Sequence, residues 1–339
     1  EMRKGNYPYR CLLFGLSLLF STLTYAQGSC PVSPSVAQKI NPSSHGLNLT
    51  SKAGVMFSSI NYGDGLSAEN NYLYGNMAFR DQNFSIGVDV NSFSLNQLGL
   101  KENSMRLSYA YNFRIGIDTY FIGGLDVGVT AQVIDPNALI FGDQINEQLG
   151  TIVGNSIDPL ATIKPSTNYF EIGASGVVYN EKFMAGIHLA HLNSPNISFN
   201  KEAEVKKEMA IILNGAVELD VNPYGRGILP QNSYFFGDVY GVLHGETTRF
   251  FASQELQMNN LSLGFMQSMI NFGENSAMEM GILSTISFES FLFKFNYTFA
   301  SKSNEFNVPS IVELGLRFNF DRFTRNTRGY YKRLSTNNL

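Results

Sequence analysis

The sequence predicts a transmembrane β-barrel, an antiparallel up-and-down sheet of about 14 strands closed on itself. Composition is the first observation behind that reading. The 339 residues are 44% hydrophobic and include 27 Phe and 17 Tyr, yet the mean hydropathy is only -0.07. Such a chain is too polar for a helical membrane protein and too rich in Phe and Tyr for an ordinary soluble domain. Strands that face lipid with every second residue and a wet interior with the others reconcile the two. The second observation is periodicity. From about Lys52 onward the chain breaks into short alternating segments, and it holds no apolar run of about 18 residues that could cross a bilayer as a helix. The third is the rhythm of the links, which alternate between short and long.

The amino end has the form of a cleaved export signal, 1–26. Arg3, Lys4 and Arg10 form a positive start, Cys11 to Phe20 is almost wholly apolar, and Thr24-Tyr25-Ala26 precedes Gln27 as a small-x-small cleavage site. Met2 reads as the natural initiator and Glu1 as a product of the reading frame. Cleavage would remove one acidic and three basic residues, taking the formal charge from -4 to -6. That balance implies no surface for nucleic acid. Cleavage also removes Cys11 and leaves Cys30 alone, which excludes an intrachain disulfide; Gln27-Gly28-Ser29 is a poor lead-in for lipidation of that cysteine. Residues 27–51 are expected to form a periplasmic segment ahead of the barrel.

The barrel is expected over 52–320. Phe84, Ile86, Val88 and Val90 alternate with Ser85, Gly87, Asp89 and Asn91, and Met105, Leu107, Tyr109, Tyr111 and Phe113 oppose Arg106, Ser108 and Asn112. Phe183, Ala185, Ile187 and Leu189 alternate with Gly186 and His188, and Met209, Ile211, Leu213, Val217 and Leu219 oppose Asn214, Glu218 and Asp220. The pattern is clearest near the carboxyl end. Phe291, Phe293, Phe295, Tyr297 and Phe299 share one face, opposite Leu292, Lys294, Asn296 and Thr298. Val312, Leu314, Leu316, Phe318 and Phe320 alternate with Glu313, Gly315, Arg317 and Asn319. Charges such as Lys294 and Arg317 can face inward only if the interior is polar.

With the amino end in the periplasm, the periplasmic links should be tight, and 80–83, 180–182, 258–260 and 289–290 are. The opposite links 134–166, 192–206 and 300–309 are longer. Pro136, Pro159 and Pro165 mark 134–166 as an external loop or a plug. Two links break the rhythm: 221–232 is long on the periplasmic side, and 244–247 is short on the other.

The remaining chemistry is sparse. His188 and His191 are three apart, so on a strand they face opposite sides and cannot share a metal. Asp135, Asp143, Glu147 and Asp158 lack the spacing of a calcium loop. No nucleophile-elbow pattern occurs, so no enzymatic activity, metal or cofactor is expected. The tail 321–339 is different: Arg322, Arg325, Arg328, Lys332 and Arg333 oppose only Asp321, interleaved with Phe323, Tyr330 and Tyr331. It reads either as a docking arm for a partner or as a solvated end.

Several stretches carry a family resemblance. Ser85-Ile86-Gly87-Val88, Ser108-Tyr109-Ala110-Tyr111-Asn112, Gly123-Gly124-Leu125-Asp126-Val127-Gly128 and Phe141-Gly142-Asp143-Gln144-Ile145 resemble the PorP/SprF family of type IX secretion system membrane proteins. So do Tyr169-Phe170-Glu171-Ile172-Gly173, Lys182-Phe183-Met184-Ala185-Gly186-Ile187, His191-Leu192-Asn193-Ser194-Pro195 and Val312-Glu313-Leu314-Gly315-Leu316. The aromatic, Asn-Pro-containing stretch usual at the family's amino end is reduced here to Lys39-Ile40-Asn41-Pro42-Ser43. Glu313-x-Gly315-x-x-Phe318-x-Phe320 also resembles the insertion signal read by the barrel assembly machinery, although 19 residues follow it.

The resemblance implies a non-enzymatic component of the type IX secretion and gliding apparatus in the outer membrane of a Gram-negative bacterium of Bacteroidetes type. Its implied contacts are outer-membrane lipid, periplasmic or peptidoglycan-associated secretion proteins, and secreted adhesin-type proteins. The residues alone leave a rival open, a passive diffusion channel or hydrophobic-solute transporter with Asp89, Arg106, Glu171, Lys294 and Arg317 lining a pore. A barrel hydrolase is a more distant one.

Overall fold

The computed structural model describes residues 36–320 except 64, 136–137, 139–141, 147–150, 153, 155, 157–164, 200–203, 226–227, 232, 273–274, 289 and 303–306. The expected signal 1–26, Cys30 and the basic tail 321–339 therefore lie outside the described residues. Fourteen antiparallel strands close into one barrel, each paired with its neighbours in sequence and the last paired with the first. They are β1 (Lys52–Gly63), β2 (Leu66–Phe79), β3 (Phe84–Leu95), β4 (Leu100–Arg114), β5 (Tyr120–Ile134), β6 (Ser166–Tyr179) and β7 (Phe183–Ala190). The circle continues with β8 (Ala210–Asp220), β9 (Ser233–His244), β10 (Thr247–Met258), β11 (Leu261–Phe272), β12 (Asn275–Phe288), β13 (Phe291–Phe299) and β14 (Ser310–Asn319). Closure runs through ten residue pairs from Lys52–Asn319 to Asn61–Ser310, so the first and last strands leave no free edge.

The period-2 pattern decides which residues meet lipid. Val88, Leu107, Val127, Phe293, Phe295 and Leu314 are exposed on the outer wall, whereas Asp89, Ser108, Asp126, Asn296, Glu313 and Arg317 are buried inside it. A soluble protein would not present so continuous an apolar band to water, and in a bilayer that band is what stabilises the wall. No described helix is long and apolar enough to cross a membrane.

The periplasmic links are tight as read from sequence. Arg80–Gln82 forms a single 3-10 turn ended by Asn83 in the left-handed region, and Asn259 takes the same conformation between β10 and β11. Aromatic residues gather at that end, with Phe79 stacked on Phe84 at 4.6 Å and Phe291 tilted against Phe318 at 4.8 Å. Rings of this kind sit at the membrane boundary, apolar body toward lipid and edge toward water.

The amino-terminal segment departs from the expectation. Residues 36–51, assigned above to a periplasmic stretch, lie inside the barrel. A short helix, α1 (Ala37–Ile40), leads into a 3-10 segment over Pro42–Leu49 that is kinked at Leu47 and Asn48. Gln38, Asn41, Ser43, Ser44, His45 and Leu47 are all buried. The physical reason is chemical matching, because a run with one charged side chain, Lys39, and many short polar ones suits a polar lumen better than a solvated strand.

Candidate functional site

The lumen is the site, since charge, buried polar groups and a close-fitting ligand-like segment converge there. The segment enters beside Lys52 at the periplasmic end, where the Asn76 side-chain amide donates to Thr50 O at 2.6 Å and to His45 O at 3.0 Å. The 3-10 stretch packs on the β2–β6 side. Leu47 joins Ala110, Ile122, Val177, Tyr179 and Met184 in a buried apolar cluster, which anchors the segment to the wall.

Two polar clusters hold it. The first centres on Asp89 of β3. Its carboxylate accepts from Tyr72 Oη at 2.5 Å and from Arg106 Nε at 3.0 Å, and it lies 3.2 Å from His45 Nε2 of the segment. Arg106 also donates to Gln38 O at 2.8 Å, so one guanidinium ties wall and segment together. The second centres on Asn41, whose side-chain oxygen accepts from Ser43 N at 3.0 Å. Its amide donates to Asn214 Oδ1 at 3.0 Å and to the carbonyls of Ile187 and Gly176 at 3.3 and 3.4 Å. This is the Asn-Pro cap of a helical turn serving also as a hub to three strands. Nearby, His188 Nδ1 donates to Ile40 O at 3.2 Å, and its Nε2 lies 3.3 Å from Asp126.

Glycines make the approach possible. A Cβ at Gly87 would collide with the His45 ring, one at Gly124 with Ser43 Oγ, and one at Gly186 would stand 2.8 Å from Asn41 Nδ2. All three face inward beneath the segment, and a side chain at any of them would push it off the wall. On the opposite side the lumen is lined by Arg249 paired with Glu279 at 2.8 Å, and by Lys294 facing Glu255 at 3.5 Å. Between α1 and that wall lies a cavity of about 90 Å3, and a second of about 40 Å3 sits near Arg249 and Glu313.

The residues singled out from sequence fall as follows. Glu313 is buried and accepts from Asn296 Nδ2 at 2.8 Å and Ser58 Oγ at 3.2 Å. Gly315 pairs with Met56 and Lys294, Phe318 with Ala53 and Phe291, and Phe320 meets the Phe318 ring edge-on at 4.8 Å. Arg322, Arg325, Arg328, Lys332 and Arg333 lie outside the described residues, as do Glu147 and Asp158. Asp143 accepts from Ser156 Oγ at 2.7 Å. No group of three metal-ligating side chains forms among the described residues.

His191 does not face away from His188 as strand parity predicts: it lies beyond the end of β7 with a φ of 59°, which turns it inward on the same side. The two engage different carboxylates, His191 meeting Glu171 at 2.9 Å. Lys207 also contacts Glu171, at 2.7 Å. Burial opposes the Lys207 ammonium, but Glu171 outweighs it and raises the lysine's pKa above the ordinary value.

Sequence reading missed the lumenal segment because it has no periodicity. The available signal was the set of inward positions held by glycine, namely 87, 124 and 186.

A closed barrel with an apolar outer band, aromatic ends and an internally occupied polar lumen defines an outer-membrane protein. The chain belongs to the type IX secretion system membrane protein PorP/SprF family, whose model matches residues 40–318. The match begins at Ile40, so it includes most of the lumenal segment as well as the wall. No curated protein matches the chain. Among solved structures it is similar to a Pseudomonas aeruginosa FadL homologue at 8% identity and a TM-score of 0.47, over 87% of this chain and 96% of that one. It is similar also to the Ralstonia pickettii toluene transporter TbuX, at 9% and 0.46 over 88% and 96%. The Acinetobacter baumannii outer membrane protein Omp33 gives 8% and 0.44 over 80% and 98%.

Proposed function

We propose that this protein serves type IX secretion as a plugged, non-conducting and non-enzymatic barrel that assists export or surface anchoring of secreted proteins through protein–protein contacts. The observation that carries the reading is the occupied lumen. Asn41, Ser43 and His45 are fully buried inside the lumen, where Asp89 and Arg106 hold the segment, and the inward charges of the opposite wall pair with one another. A barrel stoppered by its own chain acts through its surfaces, where adhesin-type cargo would meet the outer face and periplasmic or peptidoglycan-associated subunits the inner one.

Gene deletion with measurement of surface adhesin tests this directly. The reading expects loss of surface delivery, and unaltered delivery would refute it. The passive-channel alternative predicts strong conductance instead. Within the same reading, Glu313, Gly315, Phe318 and Phe320 act as the assembly signal, and the basic residues Arg322 to Arg333 dock the periplasmic partner. Deleting 322–339 is expected to leave barrel assembly intact while reducing recovery of envelope partners; full recovery would remove the tail from the account.

A further inference from the structure

Among the described residues the barrel wall shows a bare edge at β6. On one side β6 pairs with β5 in unbroken register from Ser166 to Tyr179. On the other side it pairs with β7 only from Ala174 to Tyr179, because β7 ends at Ala190. What ends it is the His191-Leu192-Asn193-Ser194-Pro195 motif. His191 and Ser194 take positive φ, and the next residues turn away to pair among themselves, Ile197 N donating to Val205 O at 2.8 Å and Lys207 N to Pro195 O at 2.9 Å.

The motif covers the edge only briefly. Leu192 N donates to Ile172 O at 2.9 Å, while Asn193 accepts from Ile172 N at 3.0 Å and donates to Phe170 O at 2.6 Å. In regular register, residues 172, 170, 168 and 166 aim their backbone groups to this side. No strand pairs with Phe170 N–H or with the N–H and C=O of Asn168 and Ser166 among the described residues. The comparable overhang of β12 beyond β13 differs, because the two-residue strand Asn307–Val308 packs against it.

Closed barrels exist to remove such edges, and an unpaired row of donors and acceptors is a template for one more strand. We propose that the Ser166–Phe170 edge of β6 is a β-strand acceptor for an extended segment of an exported protein. The flanking side chains define that segment. Phe170 and Ile172 are exposed on the outer wall, whereas Tyr169 and Glu171 face inward beside Lys207, so the guest strand would alternate apolar residues toward lipid with polar ones toward the lumen. The choice of an exported protein rests on the function proposed above; the edge itself does not.

Amide exchange on the full chain in lipid nanodiscs, with and without the purified carboxy-terminal domain of an adhesin secreted by the same cells, tests the inference. Alone, Asn168 and Phe170 should exchange about a hundredfold faster than Tyr169 and Glu171, whose amides face β5. Adding the domain should slow Asn168 and Phe170 at least about tenfold. Slow exchange in the free protein, or no slowing on addition, would overturn the proposal. Asn168→Pro removes one edge donor without touching β5 and should abolish slowing at Phe170; should it fail to assemble, Asn168→Lys places a charge on the edge with the same expected loss. Slowing retained in an assembled variant would also overturn it. Export lost on gene deletion without any slowing sinks the edge alone, and slowing without an export phenotype sinks the function alone.

Discussion

Asp89 and Asn41 bind the lumenal segment in different ways, and the difference is measurable. Asp89 is the counter-charge for Arg106, lies 3.2 Å from His45 Nε2 and accepts from Tyr72, all within a buried pocket. Removing one partner of such a pair strands the other, at about 3–5 kcal/mol. Asn41 supplies neutral hydrogen bonds, and its loss removes the donor to Asn214 Oδ1, at about 1–3 kcal/mol. Asp89→Ala should therefore lower the thermal midpoint in detergent by more than Asn41→Ala, and the reverse order would contradict the assignment of Asp89 as the main anchor. The sequence made Asp89 and Arg106 legible as inward residues through strand parity alone. It could not make their partner legible, because His45 lies 44 residues away in a stretch without period. Inward charge was consequently open to reading as a pore lining, when in the structure Asp89 and Arg106 grip the segment.

At the scale of elements, the fit between the segment over 36–49 and the strands β3, β5 and β7 is a fit of small residues to a close approach. Gly87, Gly124 and Gly186 are extended strand positions, so their glycine is explained by space rather than by backbone conformation. Gly87→Val with Gly124→Val is expected to evict the segment while the wall persists, because the outward pattern and the strand ladders are untouched. The check is limited proteolysis in nanodiscs: the double variant should be cut within 36–51 at a rate at least about tenfold above the parent, with its heat-modifiable folded band retained. Equal cutting would mean the segment tolerates displacement of His45 and Ser43. The strands themselves were well read from sequence, since lipid enforces alternation at every turn of the pleat. The end of β7 at Ala190 also lies beside the long link read over 192–206; what the pattern did not show is that His191 and Ser194 take positive φ.

For the whole molecule, closure and occupancy are separate facts with separate causes. Closure follows from β1 pairing with β14, and it satisfies the backbone in a medium without water. Occupancy follows from polar matching between an unstructured-looking segment and the inner wall, and on the function proposed above it makes the pore-shaped fold a stopper. The chain belongs to the type IX secretion family, and on the function proposed above its working surfaces are the two ends and the exposed edge of β6 rather than the axis. Single-channel recording in planar bilayers tests this most directly. The intact barrel should show no steady conductance, and a variant lacking 36–49 but keeping all fourteen strands should open a stable channel. A steady current through the intact protein, equal to that of the deletion, would contradict the account.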